Sequence, residues 1–337
     1  MQADAPQGIP APAPGRTAHG PRTAHGPGLL APGTAHDPHR LYRVLREEHP
    51  LVYDAPLGAW LVSRYADVAA ALTDPRFTGF PHDAAPGGGP APLGLCHGGP
   101  QCAPGRRPGP ATPPRHTAER VERTAYVLAR RIAGRRHVDL VAEFCRWLPA
   151  GAAPGPGTRP RPPRTARTAP GTAAPPCTRH TGLRETALAS FLANLLDAPD
   201  LLAALRTEPA LAERAWTETL RRDPPVQVVL RRTVTEVALS GGTLPAGAPV
   251  ACLTGSAARD PERFAEPDRF DPFRRDQARF PAGPADCPAV LLGRLEARHG
   301  VRALLDAMPG LRWADGFCPV ATGLLTRGPR SLVVRPG

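Results

Sequence analysis

The stretch Phe280-Pro-Ala-Gly283-Pro-Ala-Asp-Cys287-Pro-Ala289 places a cysteine directly before an apolar helical pattern. A cysteine in this position receives the free backbone N–H groups and the positive end of the helix dipole, which stabilise a thiolate. Pro288 suits the first helical position, because an N–H there would have no partner within the helix. Cys287 is therefore a candidate thiolate, and the alternative is a buried free cysteine.

Two further motifs precede this cysteine. Glu218 and Arg221 are three residues apart in a predicted helix, Leu211–Arg222, so both side chains leave the same face and can pair. The segment Asp-Pro-Glu-Arg-Phe-Ala-Glu-Pro-Asp-Arg-Phe follows at 260–270. An E-x-x-R spacing alone is common on exposed helix surfaces, so the order of the three motifs carries the information.

This order resembles the cytochrome P450 family, over most of 37–80 and nearly all of 181–334. The resemblance implies a mainly α-helical α+β fold with small β-sheets, incomplete in the middle of the chain. It also implies that the cysteine binds the iron of haem b as a thiolate. The residues that match the family's haem loop and its structural triad are Phe280, Gly283 and Cys287, and Glu218, Arg221 and Arg269.

Further site residues follow from the same resemblance. Arg232 occupies a position from which relatives reach a haem propionate, and His116 and Arg120 have the H-x-x-x-R spacing used for the same purpose. Glu185 and Thr186 match the acid and alcohol that relay protons to bound dioxygen. The alternative for the last pair is an ordinary amphipathic helix start.

The resemblance implies a monooxygenase that inserts oxygen into, or oxidatively couples, a small hydrophobic substrate. Electrons would come from NAD(P)H through a ferredoxin reductase and a ferredoxin, because the chain carries no flavin or Rossmann glycine signature. We expect a monomer in the cytoplasm.

Four residues depart from the family pattern: Pro281, Ala285, Asp286 and Leu183. Pro281 removes a backbone donor, and Asp286 adds a negative charge beside a thiolate and two propionates. Leu183 stands where a second glycine normally allows the oxygen-binding helix to kink. These departures support an alternative function, a degenerate non-catalytic P450-like module that acts as a protein-docking domain or is an unstable pseudogene product.

Composition is uneven along the 337 residues, which include 46 prolines and 34 glycines and no lysine. The net charge of +12 arises mainly from arginines in 1–36, 84–116 and 151–181, which lack an apolar pattern. A nucleic-acid-binding face would instead cluster its charge on one helix or sheet, so we expect no nucleic-acid partner. The sequence has no apolar run long enough to span a membrane.

We expect a disordered tail at 1–36 and one haem domain at 37–337, with irregular segments at 84–114 and 151–180. Those two segments are either flexible insertions or sequence translated out of frame. Outside them, the predicted helices are 38–49, Ala66–Leu72, Ala187–Leu196, Leu201–Arg206, Leu211–Arg222 and one after Pro288, with helical periodicity at 121–132 and 138–148. The predicted strands are Leu51–Tyr53, Ala59–Val62, Val226–Leu230, Thr233–Leu239 and Val250–Leu253, with short strands near Leu311, Leu324 and Leu332.

Overall fold

The computed structural model describes residues 28–79, 115–149, 181–275 and 288–337. Its α-helices are α1 (His39–Glu48), α2 (Tyr65–Thr73), α3 (Arg115–Ala133), α4 (Thr181–Leu196), α5 (Pro199–Ala204), α6 (Leu211–Arg222), α7 (Thr254–Ala257) and α8 (Pro288–Ala307), with a π-helix at Val141–Cys145. Its strands are β1 (Leu51–Asp54), β2 (Ala59–Val62), β3 (Phe77–Gly79), β4 (Val138–Asp139), β5 (Val229–Thr233), β6 (Val237–Leu239), β7 (Gly242–Leu244), β8 (Pro249–Cys252), β9 (Arg312–Trp313), β10 (Ala321–Thr322), β11 (Gly328–Pro329) and β12 (Val333–Arg335).

The largest sheet has five strands in the order β1-β2-β8-β5-β3. Neighbouring strands are antiparallel except for β2 and β8, which are parallel with Leu61 opposite Ala251. β12 lies between β4 and β9 in a second sheet, and β6–β7 and β10–β11 form two hairpin-like pairs. The architecture is therefore α+β and mainly helical, as the sequence predicts.

The main core lies among the helices. α3 packs along α8, and α4 packs between α6 and α8. Their buried side chains join those of the π-helix and the three-stranded sheet in one apolar cluster, with Leu128, Phe144, Phe191 and Leu304 almost fully buried. The two faces of the five-stranded sheet are covered by α2 and α7 on one side and by α1 on the other. This arrangement surrounds α6 and the start of α8, where the candidate site lies.

Proline positions explain where several elements end. α1 ends at Glu48, before Pro50, and its first turn is held by Asp37 Oδ1, which accepts a hydrogen bond of 3.0 Å from the backbone N–H of His39. α6 ends at Arg222, before Pro224 and Pro225, since prolines cannot continue the backbone hydrogen-bond ladder.

The structure corrects three predicted elements. The helical periodicity of 138–148 corresponds to β4 followed by the π-helix, because Val138 and Val334 pair in a sheet. The strand predicted at Val226–Leu230 begins instead at Val229 and continues to Thr233. No strand covers Leu324, which lies between β10 and β11.

Residues 28–36, which we expected to belong to a disordered tail, pack against the domain. Leu29 is fully buried, and its backbone N–H donates to Asp54 Oδ2 at 2.7 Å. Arg327 donates to the backbone carbonyls of Ala35 and His36 at 2.9 and 2.8 Å. The rest of the tail and both irregular segments lie outside the described residues. No described helix is both long and apolar enough to cross a membrane.

Two adjacent residues of α3 provide a test of the helical core. Leu128 is 1% exposed and contacts the main apolar cluster, whereas Val127 is 48% exposed. We expect Leu128→Ala to lower the free energy of unfolding by about 2–5 kcal/mol, because it leaves a cavity in a packed interior. Val127→Ala, the matched control, should change it by less than about 0.5 kcal/mol. Equal effects in urea denaturation would contradict this assignment of the core.

Candidate haem-binding core

A fully buried ion pair lies on α6. Arg221 donates from Nε to Glu218 Oε2 at 2.9 Å and from Nη2 to Glu218 Oε1 at 2.8 Å. Both side chains have no exposed surface. The pairing follows directly from the i,i+3 spacing, which brings the two side chains onto one face of the helix.

The segment after α7 wraps around this ion pair. Arg221 Nη1 donates to the carbonyls of Ala258 at 2.9 Å and Pro267 at 2.7 Å, and Nη2 also donates to that of Arg269 at 3.2 Å. The Arg221 guanidinium also lies 5.3 Å from the ring centroid of Phe264. One buried guanidinium therefore holds 258–269, which we call the meander, against α6.

The predicted role of Arg269 needs a correction. The Arg269 side chain is 64% exposed and pairs with Glu266 at 3.0 Å, so only its backbone carbonyl reaches Arg221. The arginine side chain that faces Glu218 is Arg274, whose Nε lies 3.5 Å from Glu218 Oε1 and whose side chain is 6% exposed. Arg269 points outward because Glu266, three residues earlier in the turn, offers an exposed partner.

Strand alternation decides which arginine of β5 points inward. Arg232 Nη1 donates to the Gly247 carbonyl at 2.8 Å in an exposed position. Arg231 lies on the opposite face with Val229, which belongs to the apolar cluster that Leu183 of α4 contacts. The guanidinium of Arg231 pairs with no carboxylate of the described residues, and desolvation lowers its pKa. Arg231 is thus a half-buried cation that the sequence analysis missed.

The proposed proton-relay residues lie in the first turns of α4. Thr186 Oγ1 donates to the Gly182 carbonyl at 2.9 Å, within the same helix. Glu185 is 24% exposed and lies 3.6 Å from the Arg146 guanidinium. Both side chains are therefore directed by local partners, and α4 begins at Thr181, six residues earlier than predicted.

A second buried ion pair joins α4 to α8. Arg184 Nη1 is paired with Glu296 Oε1, and Arg184 Nη2 donates to the Pro149 carbonyl at 3.0 Å. A Cβ at Gly293 would lie 3.1 Å from the Trp216 ring and 3.9 Å from Arg184 Cγ, so the three helices meet there. Desolvation raises the pKa of Glu296 to about 7, although the Arg184 charge opposes the shift.

The predicted haem loop lies outside the described residues, with Phe280, Gly283 and Cys287 among them. The described part of α8 begins at Pro288, and the role of Cys287 as a ligand at the start of this helix stays a prediction. On α3, Arg120 is exposed and its carbonyl accepts from Thr124 at 2.8 Å, and the side chain of His116 is not described.

Comparisons with known proteins agree with this geometry. The sequence model of the family described as Cytochrome P450 matches residues 205–280, which hold α6, β5, β8 and the meander. The crystal structure of CYP109E1 from Bacillus megaterium in complex with corticosterone superposes with a TM-score of 0.69 at 18% identity, covering 90% of this chain and 99% of that one. The chain has the cytochrome P450 fold, and the part that holds the meander matches the sequence model of that family.

The chain aligns with only part of the length of its curated relatives. Protein DesVIII of Streptomyces venezuelae is 43% identical over 144 residues, covering 42% of this chain and 36% of the relative. Cytochrome P450 107B1 of Saccharopolyspora erythraea is 40% identical over 149 residues, covering 43% and 37%. The chain thus matches little more than a third of the length of these curated relatives.

The described residues fit the haem group that the family implies. Haem b presents two carboxylates and takes a thiolate as axial ligand in P450s. Arg231 offers a half-buried guanidinium that pairs with no carboxylate of the described residues, and the first turn of α8 has backbone N–H groups with no partner inside the helix. These groups have the charge and hydrogen-bonding character that such a cofactor requires.

Replacing each meander arginine separately tests the correction at Arg269. Arg274→Ala removes the side chain facing buried Glu218 and its hydrogen bonds to the Ala265 and Glu266 carbonyls. We expect a loss of about 2–4 kcal/mol in the free energy of unfolding, because a buried carboxylate loses a charged partner. Arg269→Ala should cost less than about 0.5 kcal/mol. A larger loss of stability for Arg269→Ala than for Arg274→Ala would instead support Arg269 as the third member of the triad.

Glu296 predicts a pH dependence of stability. Its pKa in the folded protein is about 7, above the ordinary value of 4.5, so the unfolded chain releases this proton first as pH rises. The contribution of Glu296 to stability is therefore fully present below about pH 4.5 and falls until about pH 7, by about 3 kcal/mol. Glu296→Gln should remove this fall in denaturant titrations at several pH values, whereas Glu143→Gln, at a partly exposed carboxyl, should not. An unchanged slope in Glu296→Gln would refute the assignment.

Proposed function

We propose that the chain is a haem-thiolate monooxygenase that binds haem b through Cys287. The observation that carries this proposal is the buried pair of Glu218 and Arg221, which holds the meander against α6 as the family resemblance implies. Haem bound through a thiolate would supply dioxygen activation, because this axial ligand pushes electron density towards the iron.

The chain's own residues have separate tasks in this proposal. The α8 start stabilises the Cys287 thiolate, and Phe280 and Gly283 belong to the loop that carries it. The guanidinium of Arg231 holds a propionate, with Arg232, His116 and Arg120 as the positions that the family resemblance assigns to the same role. The ion pair of Glu218 and Arg221 is structural and keeps the meander in place.

Glu185 and Thr186 are the candidate proton-relay residues. The Thr186 hydroxyl donates its hydrogen to the Gly182 carbonyl, so its oxygen can still accept a hydrogen bond. Glu185 is partly exposed to solvent while it pairs with Arg146. A proton can therefore pass from solvent to the carboxyl of Glu185 near the start of α4. Leu183, in the position of the usual kink glycine, packs against the apolar cluster of the sheet.

The proposed partners follow from the family. Electrons come from NAD(P)H through a ferredoxin reductase and a ferredoxin, and the substrate is small and hydrophobic. Arg298 on α8 is exposed and offers an acidic ferredoxin a positive charge, whereas Arg294 is already paired with Glu213, with Nη2 2.5 Å from Oε2. We propose a cytoplasmic monomer.

A second candidate function is a non-catalytic P450-like docking module or an unstable pseudogene product. Asp286 and Ala285 support it, since one adds a negative charge beside the thiolate and the other removes the usual propionate contact. Such a module would retain the fold around Glu218 and Arg221 without binding haem. Haem content of the purified protein separates the two functions.

Removal of Cys287 is the direct test of the proposed function. We expect the reduced protein to show the carbon monoxide difference band of thiolate ligation, and Cys287→Ala to abolish it. Cys318→Ala, at an exposed cysteine, should leave the band unchanged. We also expect weak haem binding and poor coupling, because a displacement of Glu185 or Thr186 by about 1 Å can cost roughly a hundredfold in rate.

Two results would contradict these expectations. A thiolate band that persists in Cys287→Ala would show that another residue binds the iron. Tight stoichiometric haem, with product formation that matches NADPH consumption, would show that the departures at Pro281, Ala285, Asp286 and Leu183 do not impair the enzyme.

A further inference from the structure

A cavity of about 170 Å³ lies between the start of α1, the second half of α4, the end of α6 and the β10–β11 pair. Residues that line it include His39, Ala193, Arg222, Asp223, Arg327 and Pro329. α8, the helix that follows Cys287, contributes no wall residue. The family resemblance gives this cavity no role.

One arginine in the wall of this cavity has no carboxylate partner among the described residues. Asp223 accepts from Arg222 Nε at 2.8 Å and from Arg259 Nη2 at 2.7 Å, and Arg259 also donates to Asp268 at 2.7 Å. Arg327 bonds only to backbone carbonyls and pairs with no carboxylate of the described residues. The other carboxylate in the wall, Asp197, is exposed at the rim and accepts from Trp313 at 2.9 Å. Arg327 is thus the guanidinium in the wall whose charge no carboxylate of the described residues pairs.

Two titratable groups in the wall respond to that charge. Desolvation, together with the Arg259 and Arg327 charges, lowers the pKa of His39 to about 4. Desolvation of Asp223 opposes ionisation, yet the charges of Arg222 and Arg259 lower its pKa to about 2. The Asp223 shift has the direction expected for a positive electrostatic potential, which attracts an anion, whereas burial is the main cause of the His39 shift.

The wall also offers donors and apolar surface. Nη1 of Arg222 and Nε of Arg327 donate no hydrogen bond to a described residue, so each keeps an N–H for a ligand. The rest of the wall includes the apolar side chains of Ala193, Pro319 and Pro329. Guanidiniums match the planar geometry of a carboxylate, and the apolar surface suits a short hydrocarbon body better than a phosphate, which has polar oxygens on all sides.

We propose that this cavity binds a small organic carboxylate, whose anionic end contacts Arg222 and Arg327 and whose apolar end lies against Ala193 and the two prolines. The site is independent of the proposed oxygenase function. The cavity lies between α4, α6 and Arg327, which binds the carbonyls of Ala35 and His36. A bound carboxylate would therefore stabilise the contacts that Arg327 makes with this segment.

The test uses the full chain and sodium propionate as the probe, with binding followed by ligand-observed NMR and by thermal unfolding. Ala193→Leu fills the cavity without changing any charge, and Ala66→Leu, at an exposed position of α2, is the matched control. We expect saturable propionate binding that raises the unfolding temperature, a loss of at least about tenfold in affinity for Ala193→Leu, and no change for Ala66→Leu. Sodium phosphate at equal ionic strength should not compete.

Charge is tested separately by Arg327→Gln, which should weaken propionate binding about tenfold or more. Should Arg327→Gln not fold, Ala193→Leu and the competition experiment still decide the proposal. Propionate binding should also raise the pKa of His39, measured from its imidazole NMR signals, because the ligand brings a negative charge. Absence of saturable binding, equal binding to Ala193→Leu, or displacement by phosphate would each overturn the proposal.

Discussion

The buried contact between Arg221 and Glu218 constrains much of the surrounding structure. A guanidinium without solvent contact is stable only when its N–H groups all find acceptors, since unpaired buried charge is costly. Here the acceptors are both oxygens of Glu218 and the carbonyls of Ala258, Pro267 and Arg269. The meander must therefore fold against α6.

The ends of several elements could be predicted from the sequence, because nearby residues such as proline determine them. α1 and α6 end close to the predicted residues because Pro50 and Pro224 exclude further helix, and β2 matches its predicted bounds. The order of motifs was sufficient for the P450 fold. The predicted helical pattern at 138–148 failed because apolar spacing over few residues does not separate a strand followed by a π-helix from one α-helix.

Side-chain direction was the part that the sequence could not supply. Arg269 and Arg274 are both close to the meander turn, and only the folded backbone shows that Arg274 faces Glu218. Alternation along β5 could have indicated that Arg231 and Arg232 point to opposite faces, but the choice between them required the neighbouring α4. No sequence pattern could have indicated the pair of Arg184 and Glu296, because 112 residues separate them.

The central claim is that this P450 core presents Cys287 to haem iron as a thiolate. Electron paramagnetic resonance of the purified full chain, after incubation with haem, tests it most directly because the signal reports the axial ligand itself. The account predicts the low-spin ferric signal of thiolate-ligated haem, absent in Cys287→Ala and retained in Cys318→Ala. A histidine-type signal, or protein that remains free of haem while still folded, would contradict it and favour the non-catalytic module.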